Sequence, residues 1–502
     1  MEGVEGSIMK ERRKTEIRKY EDGYLTVFLA LSVTILLSLI LMLVEGARIN
    51  AARARAEIAG NIAVRSALGE FHKELLKQYD LYFIDTSYCS GSASVENLQE
   101  HVKSYMSLNL ESGKGPYVDL IRLSLQDITI DGTRFAADGR GTAIREQVYA
   151  YMSADPAGRV LSDILTQADV WQGLRDDGSA WEEQRREARE NLREELRHAR
   201  EDLNENTTAE ERKEAQQEGD NTAEKALEAV DRFRLLPILR QVFGDVSVIS
   251  DISAGQNVLS KRTIHYGSLL KPDNSHGYPG ADEALFDLYI GEKCGCYTKP
   301  LEKGFMKYQM EYILTGKESD RAALERVAEE LLLIREASNC ACLFTDSARI
   351  GQAETLAAIV SIVLLNPELK EAFKTVLLFA WAYMESIRDL RVLFKGGRIP
   401  LRKTPDTWRT SLLSILTPEA PGDNGGTETG LLYTDYLQAL LYLEGRSKKT
   451  MRTMDVMEMD IRKTQRNGGF RMDWCLDAFS MTAAVRSRSG YEFILKKSEG
   501  YN

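Results

Sequence analysis

The chain has 502 residues, 28% charged and 43% hydrophobic, with a net charge of -11 from 76 acidic against 65 basic side chains. That length holds two or three domains and a sizeable core, and apart from one apolar run the composition is ordinary for a globular protein. The acidic balance argues against nucleic acid as a partner, because no broad basic surface can form without an equally broad acidic one.

The apolar run extends from Tyr24 to Val44, 21 residues without a charge, and closes on Glu45 and Arg48. At 1.5 Å per residue it spans about 30 Å, the thickness of a bilayer's hydrocarbon core. A signal-peptide core is shorter, about 7–15 residues, and ends at a small-residue cleavage site. Residues 23–45 therefore read as a retained transmembrane helix, which makes the lipid bilayer a partner and places the chain in the cell membrane as a single-pass protein. Lys10, Arg12, Arg13, Lys14, Arg18 and Lys19 precede the span, whereas Arg48, Arg53 and Arg55 follow it. The heavier positive side stays in the cytoplasm, so residues 1–22 form a short basic cytoplasmic segment and the bulk of the chain is extracytoplasmic.

Beyond the span the pattern stays helical. Ala52, Ala56 and Gly60 recur every four residues, as do Ala59, Ala63 and Ala67, and no proline interrupts residues 24–80. One long helix is expected, with a narrow face that lets another helix approach closely; alanine's helix propensity alone would give the same composition. Around 118–135 the period changes to alternation, at Leu123, Leu125, Ile128 and Ile130, and Asp131-Gly132 signals a turn, so a strand or hairpin is expected. Helix returns at 145–152. Together, 46–155 form an extracytoplasmic helix plus strand region.

Residues 156–234 read as a charged helical insertion: a solvated helical hairpin or a partly disordered segment. Ala188, Leu192, Leu196, Ala199 and Leu203 keep a thin apolar stripe, and Thr208 with Glu211 resembles a capping box. Residues 235–502 read as a mostly helical domain. Leu324, Val327, Leu331 and Ile334 form a stripe on one helix. The apolar segments 356–365 and 376–384 are ten and nine residues long, too short to cross a bilayer, and suit buried helices. Residues 430–443 form an amphipathic helix, and the end of the chain reads as two strands around a Ser-Gly turn. The fold class is α+β, mainly α.

Motifs that carry chemistry are absent. Residues 314–319 contain Gly316-Lys317, but Glu311 and Glu318 stand where a phosphate-binding loop needs Gly and Ser or Thr. There is no H-E-x-x-H and no G-x-S-x-G. The histidines, His72, His101, His198, His265 and His276, are too far apart in sequence for a metal-ligand pair. Of the cysteines Cys89, Cys294, Cys296, Cys340, Cys342 and Cys475, four form C-x-C pairs, open to disulfides, metal or plain buried thiols. No cofactor and no metal are expected. Glu385 and Asp389 share a helix face one turn apart, with Arg388 and Arg391 nearby. Such carboxylates can act as acid and base; the alternative is a buried ion-pair network holding helices in register.

The opening Gly23-Tyr24-Leu25-Thr26-Val27, the closing Val44-Glu45-Gly46-Ala47-Arg48 and the stretch 52–68 resemble the TadE/TadG-like proteins of bacterial tight-adherence (Flp, type IVc) pilus systems. There, a Gly precedes the apolar helix and an acidic residue with an Arg three positions later closes it, matched here by Glu45 and Arg48. Residues 77–85, 330–346, 380–401 and 454–462 resemble an uncharacterised family of membrane proteins from Gram-positive bacteria, DUF5702. The first resemblance implies prepilin-type processing between Gly23 and Tyr24. It also implies contacts between subunits through Glu45, Arg48, Ala52, Ala56 and Gly60. The chain departs from the pilin pattern in one place: the fifth residue after Gly23 is Phe28, where pilins carry a Glu that pairs with a neighbouring subunit's terminus.

These features imply a non-enzymatic, minor pseudopilin-like or accessory component of a tight-adherence pilus or related secretion apparatus, contacting other membrane proteins by helix packing. The alternatives are a membrane-anchored scaffold or sensor unrelated to pili, and an enzyme using Glu385 and Asp389, which would need a pocket holding both carboxylates.

Overall fold

A computed structural model of the chain describes residues 2–111, 121–153, 158–206, 223–268, 281–363, 367–416, 418 and 429–501. They fall into two units: residues 1–70, 94–133 and 478–500 in the first, and 71–93, 134–477 and 501–502 in the second.

The first unit is organised by one helix, Glu2–Leu68. From Tyr24 to Val44 its large apolar side chains all face solvent, Met42 75% and Leu39 53% exposed. Downstream it becomes one-sided: Ala52, Ala56, Ala59, Ala63, Val64 and Ala67 are buried. This face packs on the helix Val95–Leu110 and on the strand Glu492–Gly500. Val95–Leu110 answers with Leu98, Val102, Met106 and Leu110, an i, i+4 row. Side chains of one or a few carbons allow the close approach. The long helix ends at Leu68 rather than running to residue 80. Gly69 donates to the Arg65 carbonyl, and beyond the break His72 Nδ1 accepts from Leu75 N at 3.1 Å, capping a new helix, Lys73–Tyr79.

Leu123–Phe135 is one continuous strand, so the turn signal at Asp131-Gly132 is overridden. Cross-strand pairing supplies the reason: Asp131 accepts from the Thr482 hydroxyl of Cys475–Ser487, the neighbouring strand. Cys475–Ser487 and Glu492–Gly500 form the expected hairpin, in antiparallel register from Ala478 opposite Gly500 to Arg486 opposite Glu492. Its turn contains Gly490 at φ +90°, a conformation only glycine adopts at little cost. The hairpin, read from the sequence as the close of the C-terminal domain, groups with the N-terminal helix in the first unit.

In the second unit the helix Leu369–Phe394 is surrounded, with every residue from Val376 to Leu390 buried. A helix enclosed on all sides must bury whatever it carries, polar residues included. Around it pack Asp320–Leu343, with Leu324, Val327, Leu331 and Ile334 all fully buried, together with Ser347–Val363 and the long helix Gly158–Asn206. The charged insertion is therefore not merely solvated. Trp171, Leu174, Leu192, Leu196 and Ala199 are core, and Trp171 meets Tyr436 edge-on at 5.0 Å. Leu203 and the Thr208–Glu211 box lie outside the residues whose side chains are described. Ser347–Val363 is less enclosed than its composition predicts, since Ile359 is 56% exposed.

Candidate functional site

On the long helix, Arg48 Nη1 donates to Glu45 Oε2 at 2.8 Å, with both side chains about a third exposed. A pair of this kind contributes a few tenths of a kcal/mol in water. Ala52 and Ala56 are buried within their own unit. A Cβ on Gly60 would lie 3.6–3.7 Å from Leu495, Lys497 and Met481, all on the hairpin. The small-residue face read as a contact between subunits is thus covered by the chain itself. The Gly23–Tyr24 bond lies inside the continuous helix.

The residues Glu385, Arg388 and Asp389 do come together, at the centre of the second unit. Arg335, from Asp320–Leu343, donates Nε and Nη2 to Asp389 Oδ2 at 3.1 and 2.8 Å. Lys403 Nζ reaches Asp389 Oδ1 at 2.9 Å and also pairs with Glu385. Arg388 Nη1 donates to Asp389 Oδ1 at 3.2 Å. Glu385 accepts from the backbone N–H groups of Arg409 at 3.1 Å and Thr410 at 2.7 Å. Burial would raise the Asp389 pKa, but Arg335, Lys403 and Arg388 outweigh it and hold the carboxyl below its ordinary range. Arg391 stands apart, donating to the Gln241 carbonyl at 2.5 Å.

Glu385 and Asp389 are fully buried, and all four carboxylate oxygens are satisfied by protein donors. Among the described residues this is the geometry of a buried ion-pair network, in which each carboxylate is compensated by a partner from another segment. Arg335 was legible in principle, as the first charge after the apolar run 331–334. Lys403 carried no such signal, lying beyond the end of the helix in a segment without regular structure, 14 residues past Asp389.

A second polar centre, missed by the sequence reading, is built on the helix Arg446–Arg462. Asp455 accepts from Ser260 N and Tyr312 OH, each at 2.9 Å. Glu458 binds Arg262 at 2.6 Å and Met472 N at 3.0 Å. Asp460 accepts from Tyr79 OH at 2.7 Å, Phe305 N at 2.6 Å and Gln309 Nε2 at 2.8 Å. Lys449, with no exposed surface, pairs with Asp287 and, at 2.6 Å, with Glu283. One helix thereby ties down four distant segments, at Tyr79, 260–262, 283–287 and 305–312. The alternating polar and apolar residues of 454–461 look like a solvated face, and nothing local says that both kinds are buried.

All six cysteines are free thiols, and only Cys89 is exposed. Burial raises the pKa of Cys294, Cys340 and Cys475, and pushes Cys296 up to about 11, so these stay protonated and are poor nucleophiles and ligands. Among the described residues no group of His, Cys, Asp and Glu is arranged to hold a metal ion; His276 lies outside them.

A family profile described as "Family of unknown function (DUF5702)" matches residues 216–487, just over half of the chain. No curated protein and no solved structure matches it.

Proposed function

Because the chain belongs to DUF5702, a family of unknown function, we propose a role from its own residues: a single-pass membrane component, non-enzymatic, that serves a tight-adherence pilus or related secretion apparatus. The observation that carries the anchor is an 18-residue window of the long helix beyond Tyr24, with mean hydropathy 2.9 and no part buried. An apolar surface of that extent has no stable place in water and is matched by lipid. The basic residues 10–19 stay in the cytoplasm in this reading, and both folded units lie outside. The link to pili rests on the resemblance of residues 23–27, 44–48 and 52–68.

The helix continues without a break from the apolar stretch to Leu68, and from Ala52 onward its small-residue face is clasped by its own folded unit. Such a helix acts as a stem that carries the first unit at the membrane surface. Lateral contacts with other membrane proteins then fall on the apolar stretch and on Ile58 and Ile62, exposed one turn apart. The test is photo-crosslinking in native membranes from probes at Leu36 and Ile58. Adducts with the membrane proteins of a pilus or secretion system support the reading. Adducts with lipid alone favour an isolated scaffold or sensor. N-terminal sequencing of the purified protein separates a pilin-like start at Tyr24 from an intact Met1.

A further inference from the structure

The second unit carries a cleft of about 280 Å³ whose walls include Asp80, Tyr82, Glu146, Gln147, Tyr151 and Tyr501. Its aromatic wall is braced by hydrogen bonds and ring contacts. Gln147 holds the Tyr82 backbone from both sides, accepting from its N–H at 2.8 Å and donating to its carbonyl at 2.9 Å. Tyr82 is 43% exposed, yet its ring is braced edge-on by Phe71 at 5.3 Å and flanked by Tyr501 at 5.8 Å. Tyr151 stands on the helix Thr142–Ser153, one turn beyond Gln147.

The charges around these rings are unbalanced in one direction. Lys293 is held by two carboxylates, Asp80 and Glu292, each at 2.7 Å. Arg134 is likewise held by two, Asp477 at 2.6 Å and Glu146 at 2.8 Å. Both cations lie at the back, 12% and 3% exposed, while Asp80 and Glu146 reach solvent at 42% and 33%. Each group therefore carries an excess negative charge, presented beside the tyrosines of the cleft wall. Aromatic rings attract cations through their negative faces, and nearby carboxylates reinforce the attraction. The chain already uses this chemistry in place: Lys293 Nζ sits 4.6 Å from the Tyr151 ring centre.

We propose that this cleft is a binding site for an organic ammonium group, of the alkylammonium or quaternary ammonium class, held between the Tyr82–Tyr501 wall and the carboxylates of Asp80 and Glu146. The excess negative charge disfavours anions. The volume admits a small head group but not a folded peptide. A neutral sugar, which also stacks on aromatic rings, is the competing ligand.

The test uses the full-length protein in a nonionic polyoxyethylene detergent, with tetramethylammonium chloride titrated at constant ionic strength and followed by saturation-transfer NMR. Saturable binding is expected, weakened ~10-fold, the equivalent of one aromatic contact, in Tyr82→Leu and in Glu146→Gln. Tyr82→Phe keeps the ring and should bind like the parent, which separates loss of the site from loss of the fold. The proposal is overturned if the parent protein shows no saturable transfer, or if Tyr82→Leu and Tyr501→Leu bind unchanged. It is also overturned if methyl β-glucoside binds and tetramethylammonium does not.

Discussion

Arg335 grips Asp389 side-on, through two nitrogens on a single carboxylate oxygen, with neither side chain exposed. The other oxygen of Asp389 is left for Lys403 and Arg388. Breaking such a buried pair on one side leaves uncompensated charge in a low-dielectric interior, at a cost of about 3–5 kcal/mol. Asp389→Asn, which removes the carboxylate that Arg335, Lys403 and Arg388 share, should therefore lower the thermal midpoint far more than a typical surface substitution. Arg335→Met should do the same. Calorimetry in detergent measures both, and a loss under about 1 kcal/mol, the level of a surface pair, would contradict the buried network.

Two helical glycines should respond to alanine with opposite sign. At Gly60 the added Cβ meets ordinary van der Waals contacts at 3.6–3.7 Å. Gly60→Ala should therefore stabilise the chain by about 0.5–1 kcal/mol through helix propensity. At Gly178 the Cβ would stand 2.8 Å from the Leu333 carbonyl oxygen, a backbone atom of the helix packed against it. Gly178→Ala should destabilise by about 1–3 kcal/mol, because the two helices must part. Paired denaturation curves decide the signs.

Glu311 should make stability depend on pH. It accepts from Tyr297 N and Tyr433 OH, both at 2.8 Å. Burial pushes its pKa from 4.5 up to about 7, against the pull of those two hydrogen bonds. Between these values the folded chain holds a proton that the unfolded chain releases. The contribution is complete below pH 4.5 and is lost as pH rises through about 7, amounting to up to about 3 kcal/mol. Glu311→Gln, a neutral mimic of the protonated acid, should flatten this part of the stability profile. An unchanged slope between pH 5 and 7, the window set by that shift, would show that Glu311 is ionised in the fold.

Cys89 is the only exposed thiol. A membrane-impermeant maleimide should modify one cysteine per native chain, with the remaining five reacting only after denaturation. On intact cells the same label reports orientation. Labelling of Cys89 without lysis is expected if the folded units lie outside, and protection until lysis would reverse the proposed topology.

Elements set by neighbouring residues were legible in the sequence. The apolar stretch of the long helix, the stripe from Leu324 to Ile334 and the terminal hairpin all follow from local periodicity and turn chemistry. Where distant segments compete, local signals misled. Asp131-Gly132 reads as a turn but continues a strand once Thr482 pairs with it. The Ala52–Ala56–Gly60 row reads as an open interface, yet its partner is a hairpin more than 400 residues away in the chain. The polar network was half visible: Glu385 and Asp389 stood out at helical spacing, while Lys403, whose ammonium group completes the centre, did not.

What the sequence determined by itself is a length of apolar helix too long and too uniform to be hidden, because hydrophobicity and helical rise act residue by residue. Which charges are buried, which small side chains are covered, and which tyrosines line a cleft were decided only in three dimensions. Those properties depend on which surfaces meet, and burial changes both the strength of an ion pair and the pKa of an acid in ways that no residue carries alone.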